Sequence, residues 1–341
     1  MVGSQGRALA AVLVGALAGC PRDHGPRVFV TNEDDGTVSV IDARSFAVID
    51  TIHVGQRPRG VRLSSDDQWL YVAVSGSAKA GPGAEPGQLP PNRTADGIAV
   101  VDLGDLSLAR TLPSGPDPES FDLLGDRMLV VSNEETAEAS IIDLRRHKLQ
   151  GRVDIGREPE GVATAPDQTV WVTSETDNLV SVIDPEVPRV VATIQVGARP
   201  RAIAFTPDGA QAFVTGENDA SITRVDVKAR RPLGRIELPR DARAASPPRP
   251  MGIALARDGT RAFVTTGRAG AVAVIDARTG TLTTMIPGVG ARPWGIATAR
   301  SGLVFTANGP SDDVSVIDPA TLRVVRRIPA GGSPWGVAIT H

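Results

Sequence analysis

The chain has 341 residues, and its 36 Lys and Arg nearly balance 39 Asp and Glu, giving a formal net charge of −3. This balance excludes the strongly basic surface that nucleic-acid binding requires, so no nucleic-acid partner is expected. Aromatic residues make up only 4% of the chain, whereas the 36 Gly and 27 Pro are typical of a fold with many turns.

The first 27 residues have the pattern of a targeting segment. Arg7 precedes an apolar run that is too short to span a bilayer as a stable anchor. Leu17–Cys20 then matches the bacterial lipobox, which predicts a signal peptide over residues 1–19 and a lipidated Cys20 with a short tether over 20–27. Lipidation would hold the protein on the periplasmic side of a bacterial membrane, inner or outer. The anchor would be firm because each buried methylene of an acyl chain strengthens membrane binding by about 0.8 kcal/mol. The alternative is an ordinary secretory peptide with an incidental Cys.

A unit of short strands repeats over residues 28–341. Its landmark is a Pro at the start of a short apolar run, found seven times, at Pro58, Pro118, Pro159, Pro200, Pro250, Pro293 and Pro334. Each unit contains four short apolar or alternating runs, named strands A to D from the Pro onward. Repeats of about forty residues made only of strands predict a β-propeller. We therefore expect an all-β fold, a seven-bladed β-propeller of four-stranded antiparallel blades, and a monomer.

The ends of the chain predict how the ring closes. The repeats begin within a unit, at the strand B run Val28–Asn32, and end on a strand A run, Trp335–Thr340. The C-terminal strand is therefore expected to complete the N-terminal blade. An open β-sandwich array is the alternative, but it would leave that last strand unpaired.

Two insertions interrupt the repeat, at residues 75–96 and 238–249. They fall in the B-to-C and D-to-A connections, which lie at the same end of a propeller. Loops that grow on one face of a rigid scaffold often mark its working face. Simple tolerance of insertions is the competing explanation.

Two sets of side chains are expected around the mouth of the central channel on that face. The first set flanks each landmark Pro, and the second follows strand B. The candidate site residues are Arg59, Glu119, Glu160, Arg201, Arg249, Arg292, Trp294 and Trp335 in the first set and Glu33, Glu134, Glu175 and Glu217 in the second. In one interpretation the charges form Arg–Glu bridges that lock adjacent blades. In the other, the arginines bind an anionic group, the tryptophans supply flat apolar contact and the glutamates hold a polar group or cation.

Several kinds of chemistry have no sequence support. Cys20 is the only Cys, and none of the four His lies at a landmark of the working face, so no disulfide and no Cys- or His-based metal site is predicted. The chain has no G-x-S-x-G motif and no phosphate-binding loop, so no catalytic residue is predicted. No cofactor is predicted either, although a Ca²⁺ or Mg²⁺ site of carboxylates and Asn, or a site for PQQ, is left open.

The repeat resembles the YVTN family of β-propellers, whose strand B motif occurs here as Phe29–Asn32 and, with a final Gly, as Phe213–Gly216. Within that family, residues 28–341 are most similar to the β-propeller proteins associated with PQQ-dependent alcohol catabolism. The similarity is carried by residues 112–119, 158–161, 173–176, 198–201 and 312–318. It implies an exported, non-catalytic accessory protein whose partner is a periplasmic quinoprotein dehydrogenase or its cytochrome system. The insertion at 75–96 departs from the plain repeat.

These observations together predict a lipid-anchored propeller that binds a partner protein or an anionic small molecule on its insertion-bearing face. The alternative is a propeller lactonase, because YVTN repeats grade into lactonase propellers in sequence, and Arg and Glu at the channel mouth would then open a sugar or acyl lactone. A haem-binding propeller of the cytochrome d1 type lacks a convincing pair of His.

Overall fold

The computed structural model describes residues 25–79, 90–240 and 246–341, and within them it contains seven four-stranded antiparallel sheets. This confirms the predicted all-β, seven-bladed β-propeller. The described ranges also hold three short 3-10 helices, Arg93–Ala95, Gly267–Ala269 and Gly309–Ser311. No helix in this part of the chain has the length and apolar character needed to cross a membrane. The predicted signal peptide and Cys20 lie outside the described residues.

Each blade runs from strand A beside the central channel to strand D at the outer rim. Blade 1 contains β1 (Arg27–Asn32), β2 (Thr37–Asp42) and β3 (Val48–His53). Blade 2 contains β4 (Val61–Leu63), β5 (Trp69–Val74), β6 (Gly97–Asp102) and β7 (Ser107–Leu112), and blade 3 contains β8 (Pro118–Leu124), β9 (Met128–Asn133), β10 (Glu138–Asp143) and β11 (Lys148–Asp154). Blade 4 contains β12 (Pro159–Thr164), β13 (Val170–Ser174), β14 (Leu179–Asp184) and β15 (Arg189–Gln195).

Blades 5 to 7 follow in the same order. Blade 5 contains β16 (Pro200–Phe205), β17 (Gln211–Gly216), β18 (Ser221–Asp226) and β19 (Arg231–Glu237). Blade 6 contains β20 (Ile253–Leu255), β21 (Arg261–Thr265), β22 (Val272–Asp276) and β23 (Thr281–Ile286). Blade 7 contains β24 (Pro293–Thr298), β25 (Val304–Asn308), β26 (Asp313–Asp318) and β27 (Arg323–Pro329). The last strand, β28 (Pro334–Ile339), is strand A of blade 1.

The ring closes through β28, as predicted. This strand pairs antiparallel with β1, with Val337 opposite Val30 and Ile339 opposite Val28. The backbone N–H of Thr340 also donates to the carbonyl of Arg27 at 3.0 Å. The two ends of the chain are therefore joined by a sheet ladder without a covalent link.

The hydrophobic core lies between blades. Phe29 and Val40 of blade 1, for example, share one cluster with Val61 and Leu70 of blade 2. The aromatic residue of strand B is fully buried in most blades, as Phe29, Trp171, Phe213, Phe263 and Phe305. Each blade therefore buries its apolar residues against its neighbours and is stabilised by them. This packing explains why strand B has an aromatic residue in most blades.

The polar residues at the ends of strands B and C also have structural partners. Asn32 donates to Ser39 Oγ at 2.9 Å, and Asn133 donates to Ser140 Oγ at 2.8 Å. Asp42, at the end of strand C, accepts the backbone N–H of Ser45. This hydrogen bond is the main reason that the pKa of Asp42 lies below its ordinary value. These repeated polar residues hold turns and neighbouring strands and are not candidates for ligand binding.

The innermost strands crowd one another at the axis, which explains the Gly that follows Pro-x in most repeats. A Cβ at Gly161 would lie 2.0 Å from the carbonyl oxygen of Arg201, and one at Gly336 would lie 2.5 Å from that of Arg59. No side chain fits at such distances, so neighbouring blades meet there through backbone atoms.

A hydroxyl group in strand B connects adjacent blades at this level. Thr31 Oγ1 accepts the backbone N–H of Gly336 in its own blade at 2.8 Å and donates to the carbonyl of Arg59 in the next blade at 2.8 Å. Thr173 makes the same two contacts, with Gly161 and Arg201. Equivalent bridges are made by Ser132, Thr215 and Thr265. We call these five contacts the hydroxyl bridges. Their acceptors are the carbonyls of residues predicted to surround the channel mouth.

The bridge at Thr31 predicts a specific loss of stability. Thr31→Val keeps the shape but removes both hydrogen bonds, leaving a buried N–H and a buried carbonyl without partners. We expect the free energy of unfolding in urea to fall by about 1–3 kcal/mol for each unpaired group. Thr31→Ser keeps the hydroxyl and should lose much less, and equal stability of the Val and Ser variants would show that the bridge contributes nothing.

Candidate binding site at the channel mouth

The backbone places the two predicted sets of side chains next to each other. The residue before the landmark Pro has a left-handed conformation in six of the seven repeats: Arg57, Asp117, Glu158, Arg199, Arg292 and Ser333 have φ between 44° and 55°. Its carbonyl accepts the N–H of the residue that follows strand B, as in Glu134 to Asp117 and Glu217 to Arg199, both at 3.0 Å. A left-handed non-Gly residue costs about 1 kcal/mol or more. This turn is therefore a constrained feature that assembles the mouth.

Arg59 is the centre of the charged network on blades 1 to 3. It is only 4% exposed, its Nη2 lies 2.9 Å from Asp117 Oδ1, and its Nη1 pairs with Glu119 and lies 4.0 Å from Glu134. The three carboxylates have oxygens within 4.8 Å of one another, a spacing that suits a metal ion. In this structure Arg59 contacts all three, so a guanidinium already supplies the positive charge.

Glu33 extends this network to the end of the first insertion. Its carboxylate lies 3.2 Å from Arg57 Nε and 3.0 Å from Lys79 Nζ. Lys79 also pairs with Asp34 at 2.8 Å. The described start of the insertion is thus tied to the mouth by ion pairs.

Arg201 is the centre of a second network, on blades 4 to 6. Its guanidinium lies 2.7 Å from Glu217, lies 3.0 Å from Glu160 and also pairs with Glu175. Arg199 lies between Glu175 and Glu217, at 2.7 and 3.3 Å. Arg249 adds a contact to Glu217 at 3.2 Å. Three arginines and three glutamates therefore form one connected group.

The glutamates of this second network differ in proton affinity. Burial raises the pKa of Glu175 to about 8, and the adjacent Glu160 adds to this rise against the opposing effect of Arg201 and Arg199. Burial acts on Glu217 in the same direction, but Arg201 outweighs it and brings the pKa of Glu217 below its ordinary value. Near neutral pH, Glu175 therefore tends to keep its proton while Glu217 is ionised.

The mouth has a different character at blades 6 and 7. The guanidinium of Arg292 lies 4.5 Å from the ring centroid of Trp294, and Trp294 stacks on Trp335 with centroids 6.0 Å apart. We call Arg292, Trp294 and Trp335 the aromatic corner. Among the described residues no carboxylate lies within 4.0 Å of Arg292, and neither indole N–H donates a hydrogen bond. Burial, and then the nearby charge of Arg268, lower the pKa of Arg292. The corner therefore has an excess of positive charge and unused donors.

The missing carboxylates have a clear origin in the repeat. The position equivalent to Glu33 is Glu134, Glu175 or Glu217 in three other blades, but it is Gly267 in blade 6 and Gly309 in blade 7. A Cβ at Gly309 would lie 3.3 Å from Trp294 Nε1. The two Gly residues therefore remove the negative charge, and Gly309 also leaves room for the indole of Trp294.

The corner borders a cavity in the central channel with a volume of about 130 Å³. Its lining includes Glu160, Arg201, Met251, Trp294 and Trp335. A cavity of about 150 Å³ is known to hold benzene, so this one has room for a single ring or the end of a larger molecule.

The structure thus places all twelve candidate residues at the mouth but divides them. Arg59, Arg201 and Arg249 are paired with carboxylates, as in the first interpretation of the sequence, whereas Arg292 is not. Lys79 and Arg268 also belong to the mouth, and the repeat pattern does not mark either of them. The signal that distinguishes the last two blades is the replacement of Glu by Gly, which is visible when the repeats are aligned.

Comparisons with known proteins support the fold. A functionally unknown protein from Desulfotomaculum acetoxidans has a TM-score of 0.76 and 17% identity, covering 92% of this chain and 99% of that chain. A candidate 6-phosphogluconolactonase of Bacteroides fragilis has a TM-score of 0.75 and 14% identity, covering 95% and 100%. Hydrazine synthase of Kuenenia stuttgartiensis has a TM-score of 0.72 and 20% identity, covering 86% and 92%. No family model and no curated protein matches the chain. At these identities the chain is similar to the three structures in its propeller fold alone.

The raised pKa of Glu175 predicts a pH-dependent stability. The folded protein holds this proton more tightly than the unfolded chain, whose Glu has a pKa near 4.5. Stability from this group therefore falls as pH rises from about 4.5 to about 8, by up to about 1.4 kcal/mol per pH unit. Glu175→Gln removes this loss, so the variant should gain stability relative to the wild type between pH 5 and pH 8 in urea unfolding.

Glu217→Gln is the matched control, because the pKa shift of Glu217 has the opposite sign. Its carboxylate stabilises the folded state above pH 4.5, and this contribution is lost as pH falls through the lowered folded pKa. The variant should therefore be less stable than the wild type at pH 7, with a difference that shrinks in acid. Parallel pH profiles for the two variants would contradict the assignment of the proton to Glu175.

Proposed function

We propose that this protein is a non-catalytic binding propeller whose ligand is a small planar anion, held at the aromatic corner. The observation that carries the proposal is the unpaired Arg292 beside the stacked indoles of Trp294 and Trp335. A planar anion would stack on an indole face and accept hydrogen bonds from the guanidinium. Five mouth arginines have carboxylate partners and act as a scaffold: Arg57, Arg59, Arg199, Arg201 and Arg249.

The size of the cavity limits the bound group. One ring of the ligand would enter the 130 Å³ cavity, and any further ring or carboxylate would extend over the mouth. PQQ, a planar aromatic tricarboxylate, fits this description in charge and shape and is a suitable probe. At the charged mouth of blades 1 to 5, Glu33 and Glu134 would repel any further negative group of the ligand. This repulsion would orient the ligand towards blades 6 and 7.

We also propose that the chain is exported and anchored through a lipidated Cys20 on the periplasmic side of a bacterial membrane. The support is the sequence of residues 1–20 and the resemblance to YVTN propellers. The same resemblance supports an accessory role beside a quinoprotein dehydrogenase. A bound planar carboxylate would suit that setting, because the oxidation of alcohols to acids produces carboxylates.

The test is calorimetric titration of the full-length protein with PQQ and with 2-naphthoate, beside uncharged 2-naphthamide. We expect the two anions to bind and the amide to bind much more weakly. Arg292→Gln should weaken anion binding at least tenfold, because a hydrogen bond between charged partners contributes about 1.5–3 kcal/mol. Trp335→Ala should weaken binding as well.

Arg300→Gln is the matched control. Arg300 is an exposed arginine in the turn between β24 and β25, at the opposite end of the same blade, so its replacement should leave binding unchanged. Equal affinity of the Arg292 and Arg300 variants would refute the assigned site. Efficient hydrolysis of gluconolactone by the protein would contradict a non-catalytic role and favour the lactonase alternative.

A further inference from the structure

The wall of the channel cavity that faces the aromatic corner has polar groups of its own. The residue that follows the landmark Pro is Trp294 in blade 7 and Trp335 in blade 1, and it is Glu160 in blade 4. In a ring of seven blades, blade 4 lies opposite the gap between blades 7 and 1. Glu160 therefore faces the two stacked indoles across the cavity that all three residues line.

The carboxylate of Glu160 has few hydrogen-bond partners within the chain. The residue is only 7% exposed, and its Oε1 lies 3.0 Å from Arg201 Nη1. Arg201 is its only partner among the described residues, and no hydroxyl or backbone N–H of that part of the chain donates to it. A carboxylate can accept about four hydrogen bonds. Glu160 can therefore accept at least one more from a molecule in the cavity.

A hydroxyl group lines the same wall at a position where the fold usually allows no polar side chain. The residue two positions after the landmark Pro is Gly in five repeats and Ala202 in a sixth, but it is Ser120 in blade 3. Ser120 lines the cavity and is 7% exposed, yet its hydroxyl forms no hydrogen bond with any residue in the described ranges. Hydroxyls that are this far buried normally have a partner. The side chain of Ser120 therefore indicates a polar group bound in the cavity.

A hydroxyl bridge fixes these two residues relative to each other. Ser132 Oγ accepts the backbone N–H of Ser120 at 3.2 Å and donates to the carbonyl of Glu160 at 2.7 Å. We call Ser120 and Glu160 the polar wall. Glu160 accepts hydrogen bonds, whereas the hydroxyl of Ser120 both accepts and donates. The polar wall therefore suits a hydroxyl or N–H group and disfavours a second carboxylate.

One planar ring can reach both the polar wall and the aromatic corner. The guanidinium of Arg201, which pairs with Glu160, has its central carbon 5.7 Å from the ring centroid of Trp294. Along this side of the cavity only one guanidinium separates the carboxylate from the indole. A ring that stacks on Trp294 therefore points its far edge towards Glu160.

We propose that the ligand is a planar anion with a hydroxyl or N–H group on the ring edge opposite its carboxylate, and that the polar wall binds this donor. The inference rests on the proposed function, because the carboxylate is held by Arg292 and the ring by the indoles. The donor group gives its hydrogen to Glu160 and accepts one from Ser120. An aromatic acid without a donor binds more weakly, because it removes water from Glu160 without replacing its hydrogen bonds.

The test compares three probes by calorimetric titration into the full-length protein at pH 7. They are 6-hydroxy-2-naphthoate, 2-naphthoate and 6-methoxy-2-naphthoate, which share the ring and the charge. We expect the hydroxyl compound to bind about tenfold more tightly than 2-naphthoate, since its donor meets a charged acceptor. The methoxy compound has no donor and should bind no more tightly than 2-naphthoate.

Two variants assign this preference to the polar wall. Ser120→Ala introduces the residue found at the same position in blade 5, so it should fold normally and reduce the preference about threefold. Glu160→Gln should reduce it by a larger factor. The ratio of two affinities in one variant is the readout, because a general effect on the cavity changes both affinities together. Glu237→Gln, at the exposed outer rim of blade 5, is the control and should keep the full preference.

The outcomes separate this inference from the proposed function. Binding of 2-naphthoate that depends on Arg292, with equal affinity for the hydroxyl compound, would overturn the polar wall and leave the anion site standing. A preference that persists in both Ser120→Ala and Glu160→Gln would overturn it as well. Uncharged 2-naphthol covers the opposite case. If it binds and needs Glu160 and Ser120 while 2-naphthoate does not bind, the polar wall is supported and the anion site is refuted.

Discussion

The crowding of seven innermost strands at one axis is the constraint on which the rest of this molecule depends. It forces Gly, Ala or Ser after Pro-x and brings the backbones of neighbouring blades into direct contact. The hydroxyl bridges then fix the carbonyls of Arg59, Glu160, Arg201, Met251 and Trp294. The same contacts that close the ring therefore hold in place the side chains around the channel mouth.

The charges at the mouth are divided by sector. Arg59 and Arg201 are each surrounded by carboxylates from adjacent blades, and removal of an ionised partner such as Glu217 from its buried pair with Arg201 costs about 3–5 kcal/mol. These networks therefore tie blades together and leave little free charge for a ligand. The two Gly that replace Glu in blades 6 and 7 leave Arg292 without a counter-charge. A scaffold and a binding site can thus be built from the same repeat position by a change of residue.

Much of this organisation can be read from the repeat, and part of it cannot. The Pro landmark and the strand B motif predict the blades, the ring closure and the set of residues at the mouth, because a short-period repeat fixes each strand's place. Pairing is harder to predict: Arg59 and Glu119 are 60 residues apart and meet only because adjacent blades have a particular rotation.

The central claim is that the aromatic corner is the part of the mouth with uncompensated positive charge. The most direct measurement is a crystal structure of the protein soaked in sodium bromide, with anomalous data collected at the bromine edge. The account predicts that the strongest bromide peak within the mouth lies against the guanidinium of Arg292 and the indole N–H groups. Bromide bound at Arg59 or Arg201, with no peak at the corner, would contradict the division of charge on which the proposed function rests.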